Sequence, residues 1–153
     1  MKIGLFYSYG PHFLQSAKFL REQYSEDELL IFVPQSFPKD CLKDITDKIV
    51  FLPWDGQHLN FRSAISTFPK ILQIIRKTKL DYFVILFESP RLIFLSQLSK
   101  AKHRFIFTIH NEYKTLTTSL ISILLKSIKN RIKGQLLYIY IYLNIHLFKY
   151  KKI

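Results

Sequence analysis

The chain has 153 residues, 48% of them hydrophobic and 16% aromatic, with 23 Lys and Arg against 11 Asp and Glu, a formal net charge of +12. This is a single domain with enough apolar material for a real core, and nothing in it reads as disordered. Four glycines leave little for a glycine-rich phosphate loop, and one cysteine, Cys41, excludes an internal disulfide and a cysteine-based zinc site, as expected of a reducing compartment.

Strand and helix signals alternate from the start. Lys2–Tyr7 is a buried-strand run closed by Ser8-Tyr9-Gly10-Pro11, and Pro11 suits the first turn of a helix. Phe13, Leu14, Ala17, Leu20 and Tyr24 then recur at helical spacing. Leu29–Val33 reads as a second strand stopped by Pro34, Lys39–Asp47 as a short helix, and Ile49–Leu52 as a third strand stopped by Pro53. Ala64, Ile65, Phe68, Ile71, Leu72 and Ile75 predict a long amphipathic helix bent at Pro69. Tyr82–Phe87 is the fourth strand; Ser89 caps and Pro90 opens a helix to about Ser99, and Phe105–Ile109 is the fifth strand. Beyond Asn111, the apolar residues Leu116, Leu120, Ile121, Leu124 and Ile128 predict a further helix. Residues 135–150 carry both signals. Ile139, Ile141, Leu143, Ile145 and Leu147 alternate with polar or tyrosine positions at strand period, while the length suits a helix.

Apolar strands joined by helical crossovers predict an α/β fold: a doubly wound, mostly parallel sheet of order 3-2-1-4-5 with helices on both faces, followed by a basic helical C-terminal segment. Residues 1–113 form the strand–helix core of one Rossmann-like domain spanning 1–153, and residues 114–153 the basic apolar segment. Ligands of such sheets bind beyond the carboxyl ends of the strands where the order reverses, here between strands one and four. The lips of that crevice are Ser8–His12 and Glu88–Arg91, with His110–Tyr113 beside them.

Charge is unevenly placed. Residues 1–99 hold 12 Lys and Arg against 10 Asp and Glu, whereas residues 100–153 hold 11 against Glu112 alone. An anionic partner or a plain solvated basic surface explains this. The late cations lie within Ile- and Leu-rich helical patterns without arginine- or glycine-rich interleaving, which favours an anionic membrane surface over nucleic acid. The strand-length apolar start is not the hydrophobic region of a signal peptide. The longest apolar stretch, Leu136–Phe148, is 13 residues long and contains Asn144 and His146, short of the roughly 20 that cross a bilayer as a helix. A peripheral location at the cytoplasmic face of a membrane is expected.

Lys2-Ile3-Gly4-Leu5-Phe6, then Lys77-Thr78-Lys79 before Leu80-Asp81-Tyr82-Phe83, and finally Phe107-Thr108-Ile109-His110-Asn111 resemble the amino-terminal domain of family 4, GT-B fold glycosyltransferases. The last segment matches that family's strand ending Thr-x-His before Asp or Asn. The resemblance implies the acceptor-binding half of an enzyme that moves a sugar from a nucleotide-sugar to a glycan or lipid-linked acceptor. It implies His110 as the catalytic group or sugar contact, and Tyr9, Gly10, His12, Glu88, Ser89, Arg91 and Asn111 around the acceptor. Two departures stand out. Many members carry a Gly-Gly pair after strand one, where this chain has Gly10 alone. The family's donor domain holds paired glutamates, and nothing after Glu112 is acidic, so the chain reads as truncated before that domain and inactive alone. Nucleotide-sugar would then be reached only through a missing or separate donor domain. A non-catalytic module pairing with a donor subunit and a flavodoxin-like nucleotide-binding domain are the alternatives.

The same residues have plainer explanations. His110 or Asn111 can serve a turn, Glu88 and Arg91 can pair locally, and Tyr9 and His12 can be ordinary loop residues. Trp54, Asp55 and His58 offer a sugar-stacking platform or a surface loop. No metal or cofactor is expected: His103, His110 and His146 are too scattered for ligand spacing, and no nucleophile elbow is present.

Overall fold

A computed structural model describes residues 1–54, 61–108, 112–116 and 120–148. In chain order these form β1 (Lys2–Phe6), α1 (Pro11–Gln23), β2 (Glu28–Pro34), a 3-10 turn (Lys39–Leu42), β3 (Lys48–Leu52), α2 (Phe61–Thr78), β4 (Tyr82–Ile85), α3 (Pro90–Leu98), β5 (His103–Phe107), β6 (Tyr113–Thr115) and α4 (Leu120–Phe148). The chain divides into two compact units, Met1–Thr117 and Thr118–Ile153.

The first unit is an α/β unit around one six-stranded sheet of order β3-β2-β1-β4-β5-β6. The first five strands run parallel, with Leu5 opposite both Ile31 and Val84 in register, and β6 returns antiparallel along β5. Parallel strands are buried on both faces, which is why they read as unbroken apolar runs. On one face Ile3, Leu5, Leu29, Ile31 and Val33 pack with Phe13, Ala17 and Leu20 of α1. On the other, Phe6, Leu30, Phe32, Phe83, Ile85 and Ile106 pack with Ile71 and Ile75 of α2 and Leu95 of α3. Each fully buried side chain of this size contributes about 1.5–3 kcal/mol. Gly4 belongs to the second face, where a Cβ would stand 2.5 Å from Leu80 Cδ1 and 2.9 Å from Phe32 Cε2. The neighbours occupy the space a side chain would need.

Two ionic fastenings sit at the amino edge of the sheet. Asp81 accepts the Lys2 N–H at 2.9 Å and the Lys102 ammonium at 2.6 Å, and its carbonyl accepts the His103 N–H at 2.8 Å, tying β1, β4 and β5 together. Asp47 accepts the Leu29 N–H at 2.7 Å and pairs with Arg21 of α1, whose Nε also donates to the Ile45 carbonyl at 2.9 Å. The Leu29 amide first, and Arg21 after it, hold the Asp47 carboxyl below the usual carboxylate range; Lys102 first, then the Lys2 amide, do the same for Asp81. Native pKa values below the unfolded ones (about 3.9 for Asp) mean stability that is present above about pH 4 and lost as pH falls through the depressed native values. The urea midpoint is therefore expected to drop between about pH 4 and pH 2, and Asp47→Asn to flatten that slope. Solvent screening limits the Asp47 share to at most about 1 kcal/mol. An unchanged acid slope in Asp47→Asn would remove this account.

Several boundaries differ from the sequence expectations. Only Lys39–Leu42 of the expected 39–47 helix is helical. Thr46 Oγ1 donates to the Leu29 carbonyl at 2.6 Å and Asp47 accepts the Leu29 N–H, so the rest of the segment is drawn to the sheet edge. β4 stops at Ile85, because the Ser89 N–H closes back on the Phe87 carbonyl at 2.9 Å. β5 starts at His103, pinned by Asp81 and paired with Tyr82, and ends at Phe107. β6 was not expected. Leu116 is not the start of a helix: its N–H donates to the Arg104 carbonyl at 2.9 Å and its side chain is buried in the second core, so the first unit extends past residue 113. α2 runs through Pro69 as one helix.

The second unit is α4, a helix of 29 residues. Residues 139–147, which alternate at strand period, are helical. A strand needs a neighbour for its backbone groups, whereas a helix satisfies them within itself. No helix among the described residues is long and apolar enough to cross a membrane.

Candidate functional site at the carboxyl edge of the sheet

β1 and β4 are adjacent, yet the chain leaves β1 toward β2 and reaches β4 only after β3. The loops after these two strands therefore diverge, the place where sheets of this topology bind ligands. The opposite edge carries the Asp47 and Asp81 fastenings.

The first lip is Tyr7–His12. Gly10 precedes Pro11 at the start of α1 with φ 105° and ψ 172°, a conformation essentially reserved for glycine. A Cβ there would meet nothing within 4 Å, so the backbone and not space demands glycine. Tyr9 is 72% exposed at the rim. Its ring lies 5.5 Å from that of half-buried Tyr7, which in turn contacts Phe13 at 5.0 Å, Phe37 at 5.3 Å and Trp54 at 6.1 Å. Residues after β1, β2 and β3 thus build one aromatic wall. Burial raises the Tyr7 hydroxyl above its ordinary pKa, keeping it a neutral donor.

His12, in the first turn of α1, is partly buried, with its ring parallel to that of Phe107 at 6.4 Å. Its Nε2 is buried, and no hydrogen-bond partner meets it among the described residues.

The second lip follows β4. Ser89 stands at the N-cap of α3 without a side-chain capping bond, and its carbonyl accepts the Ile93 N–H at 2.9 Å. Glu88 does not rely on Arg91 as a local partner: Glu88 Oε1 accepts Lys114 Nζ of β6 at 2.8 Å, clasping the β4 loop to the edge strand. Arg91 is exposed in the first turn of α3, with no hydrogen bond or ion pair among the described residues. A cation at the positive end of a helix gains nothing from the helix dipole.

After β5, the Thr108 N–H donates to the Glu112 carbonyl at 2.9 Å, and the Glu112 N–H to Thr108 Oγ1 at 3.3 Å. This closes the base of the segment that carries His110 and Asn111, which themselves lie outside the described residues, as do Asp55 and His58. Of the sequence candidates, Tyr9, Gly10 and His12 share one lip and Glu88, Ser89 and Arg91 the other, with Trp54 in the aromatic wall. Sequence reading missed Tyr7, Phe37 and Lys114. Tyr7 was assigned to a strand, though a tyrosine just before a Ser-Tyr-Gly turn was a usable signal; nothing local marks Lys114 as the partner of Glu88.

Among the described residues no three His, Cys, Asp or Glu side chains converge on a possible metal position. Compared with known proteins, the chain matches no protein-family model and no curated protein sequence.

Proposed function

We propose that this chain is the acceptor-binding half of a glycosyltransferase, a doubly wound, Rossmann-like domain that holds a glycan or lipid-linked acceptor at the β1/β4 crevice. The nucleotide-sugar would be carried by a separate domain or subunit, and the work done at the cytoplasmic face of a membrane. What supports this reading is the make-up of the two loops: an aromatic wall after β1, and after β4 an exposed guanidinium with no ion pair among the described residues. Aromatic faces pack on sugar C–H groups, and His, Tyr and Arg donors suit hydroxyls, so the lining favours a saccharide. A nucleotide phosphate would prefer several backbone amides and glycines in the β1 loop, where only Gly10 stands.

Glycosyl transfer needs a proton acceptor at the attacking hydroxyl and positive charge at the leaving diphosphate. One lip of a cleft supplies the acceptor contacts and does not enclose a donor. The 153-residue polypeptide is therefore expected to bind saccharide acceptors without turning over nucleotide-sugars. Amide NMR titration with oligosaccharides and lipid-linked sugars is expected to move Tyr9, Gly10, Ser89 and Arg91, and a panel of nucleotide-sugars to give no product. Tight binding of a flavin or free nucleotide at the β1 loop, with no response to any saccharide, would overturn the reading in favour of a nucleotide-binding domain.

A further inference from the structure

We propose that α4 is a monotopic membrane anchor, with its cationic stretch on the headgroups of anionic lipids and Leu136–Leu143 set into one leaflet. Leu136, Leu137, Tyr138, Ile139, Tyr140, Ile141, Tyr142 and Leu143 are each between 46% and 71% exposed. Eight consecutive residues of a helix pass round its whole circumference, so this segment is apolar on every side. A second helix or a protein groove covers one stripe of a helix, whereas an all-round apolar segment is satisfied by all-round apolar surroundings. A bilayer provides them.

Charge identifies the kind of surface. The three turns before this segment hold Lys126, Lys129, Arg131 and Lys133, and α4 contains no Asp or Glu. Lys129, Arg131 and Lys133 are exposed. Cations directly beside an apolar segment are the arrangement that anionic lipid surfaces recognise. From Leu136 to the helix end at Phe148 the rise is about 20 Å, against a hydrocarbon core of about 30 Å. The segment reaches deep into one leaflet and does not cross. The tyrosines at 138, 140 and 142 suit an oblique entry, since their hydroxyls favour the headgroup boundary while their rings remain in the apolar layer. This inference stands on α4 alone and is independent of what the crevice binds.

The test uses the whole chain with vesicles of equimolar phosphatidylglycerol and phosphatidylcholine, and with vesicles of phosphatidylcholine alone, at about 0.1 M salt. Co-sedimentation is expected with the anionic vesicles and to be at least tenfold weaker with the neutral ones. Each cation near an anionic surface is worth roughly a factor of five, so exchanging Lys126, Lys129, Arg131 and Lys133 together for Gln is expected to lower anionic binding at least ~30-fold. An indole reporter introduced by Leu137→Trp in a Trp54→Phe background is expected to shift its emission to shorter wavelength and be quenched by lipids brominated on their acyl chains. Circular dichroism and the urea transition of the sheet unit show whether each variant is folded. Failure to sediment with either vesicle, equal binding to both, or reporter emission that acyl-chain bromine leaves unquenched would each overturn the proposal. So would a lipid-free oligomer in which the reporter indole is already protected and from which vesicles do not extract the chain, which would assign α4 to a second copy.

Discussion

Phe83→Ala is expected to lower the unfolding free energy by about 3–5 kcal/mol, the usual scale for emptying a fully buried aromatic site. Phe83 has no exposed surface and stands at the centre of the sheet face covered by α2 and α3. Its ring meets those of Phe6 and Phe32 edge-on, both at 6.2 Å, and its strand partner in register is Gly4, which has no side chain to fill the gap. The cavity would open against the paired strands β1 and β4, whose following loops form the two lips. Domains of this size hold only about 5–15 kcal/mol in total, and the variant would unfold measurably under mild conditions. Urea denaturation followed by circular dichroism measures the loss, with Phe83→Leu as a control that keeps most of the volume and falls by roughly 1 kcal/mol. A loss below about 1 kcal/mol for Phe83→Ala would mean that this core collapses around the vacancy, and the tight packing inferred around Gly4 would be wrong.

The parallel strands were legible because burial on both faces leaves a continuous apolar run, as in Leu29–Val33 and Phe83–Ile85. The crevice lips were legible for a related reason: Gly10-Pro11 and Ser89-Pro90 mark where a strand ends and a helix begins. What escaped the sequence depends on long-range pairing. Tyr113-Lys114-Thr115 has no strand signature of its own and becomes β6 only because β5 presents an open edge, with Thr108 and Glu112 closing the return. Lys39–Asp47 carries local helical spacing, but bonds from Thr46 and Asp47 to Leu29 outweigh it. In residues 139–147 the period of two lost to the backbone, since a helix meets its hydrogen-bonding needs within itself. The imidazole of His12 could not be oriented from sequence, because its stacking partner Phe107 lies far along the chain.

With a nucleotide-sugar-binding domain supplied by fusion or as a separate subunit, His110→Ala is expected to lower turnover by about 100-fold or more, the scale for losing a positioned acid–base group or transition-state donor. In the sequence His110 lies between Thr108 and Glu112, whose backbones bond each other just after β5, the strand beside β4. Imidazole both donates to a sugar hydroxyl and titrates near neutral pH. Glu88→Gln and Arg91→Ala are expected to have smaller effects: Glu88 is engaged in holding Lys114, and on the proposed reading Arg91 would add acceptor affinity more than chemistry. His12 is the competing assignment, since its Nε2 lacks a partner among the described residues. Its ring also packs on Phe107, so His12→Gln is expected to weaken acceptor binding, seen in KM, while leaving kcat within about tenfold. The two histidines thus separate by which kinetic parameter moves. If a folded His110→Ala enzyme keeps wild-type turnover while His12→Gln loses it, the chemistry belongs to the β1 lip, where the aromatic wall offers a face for a sugar ring.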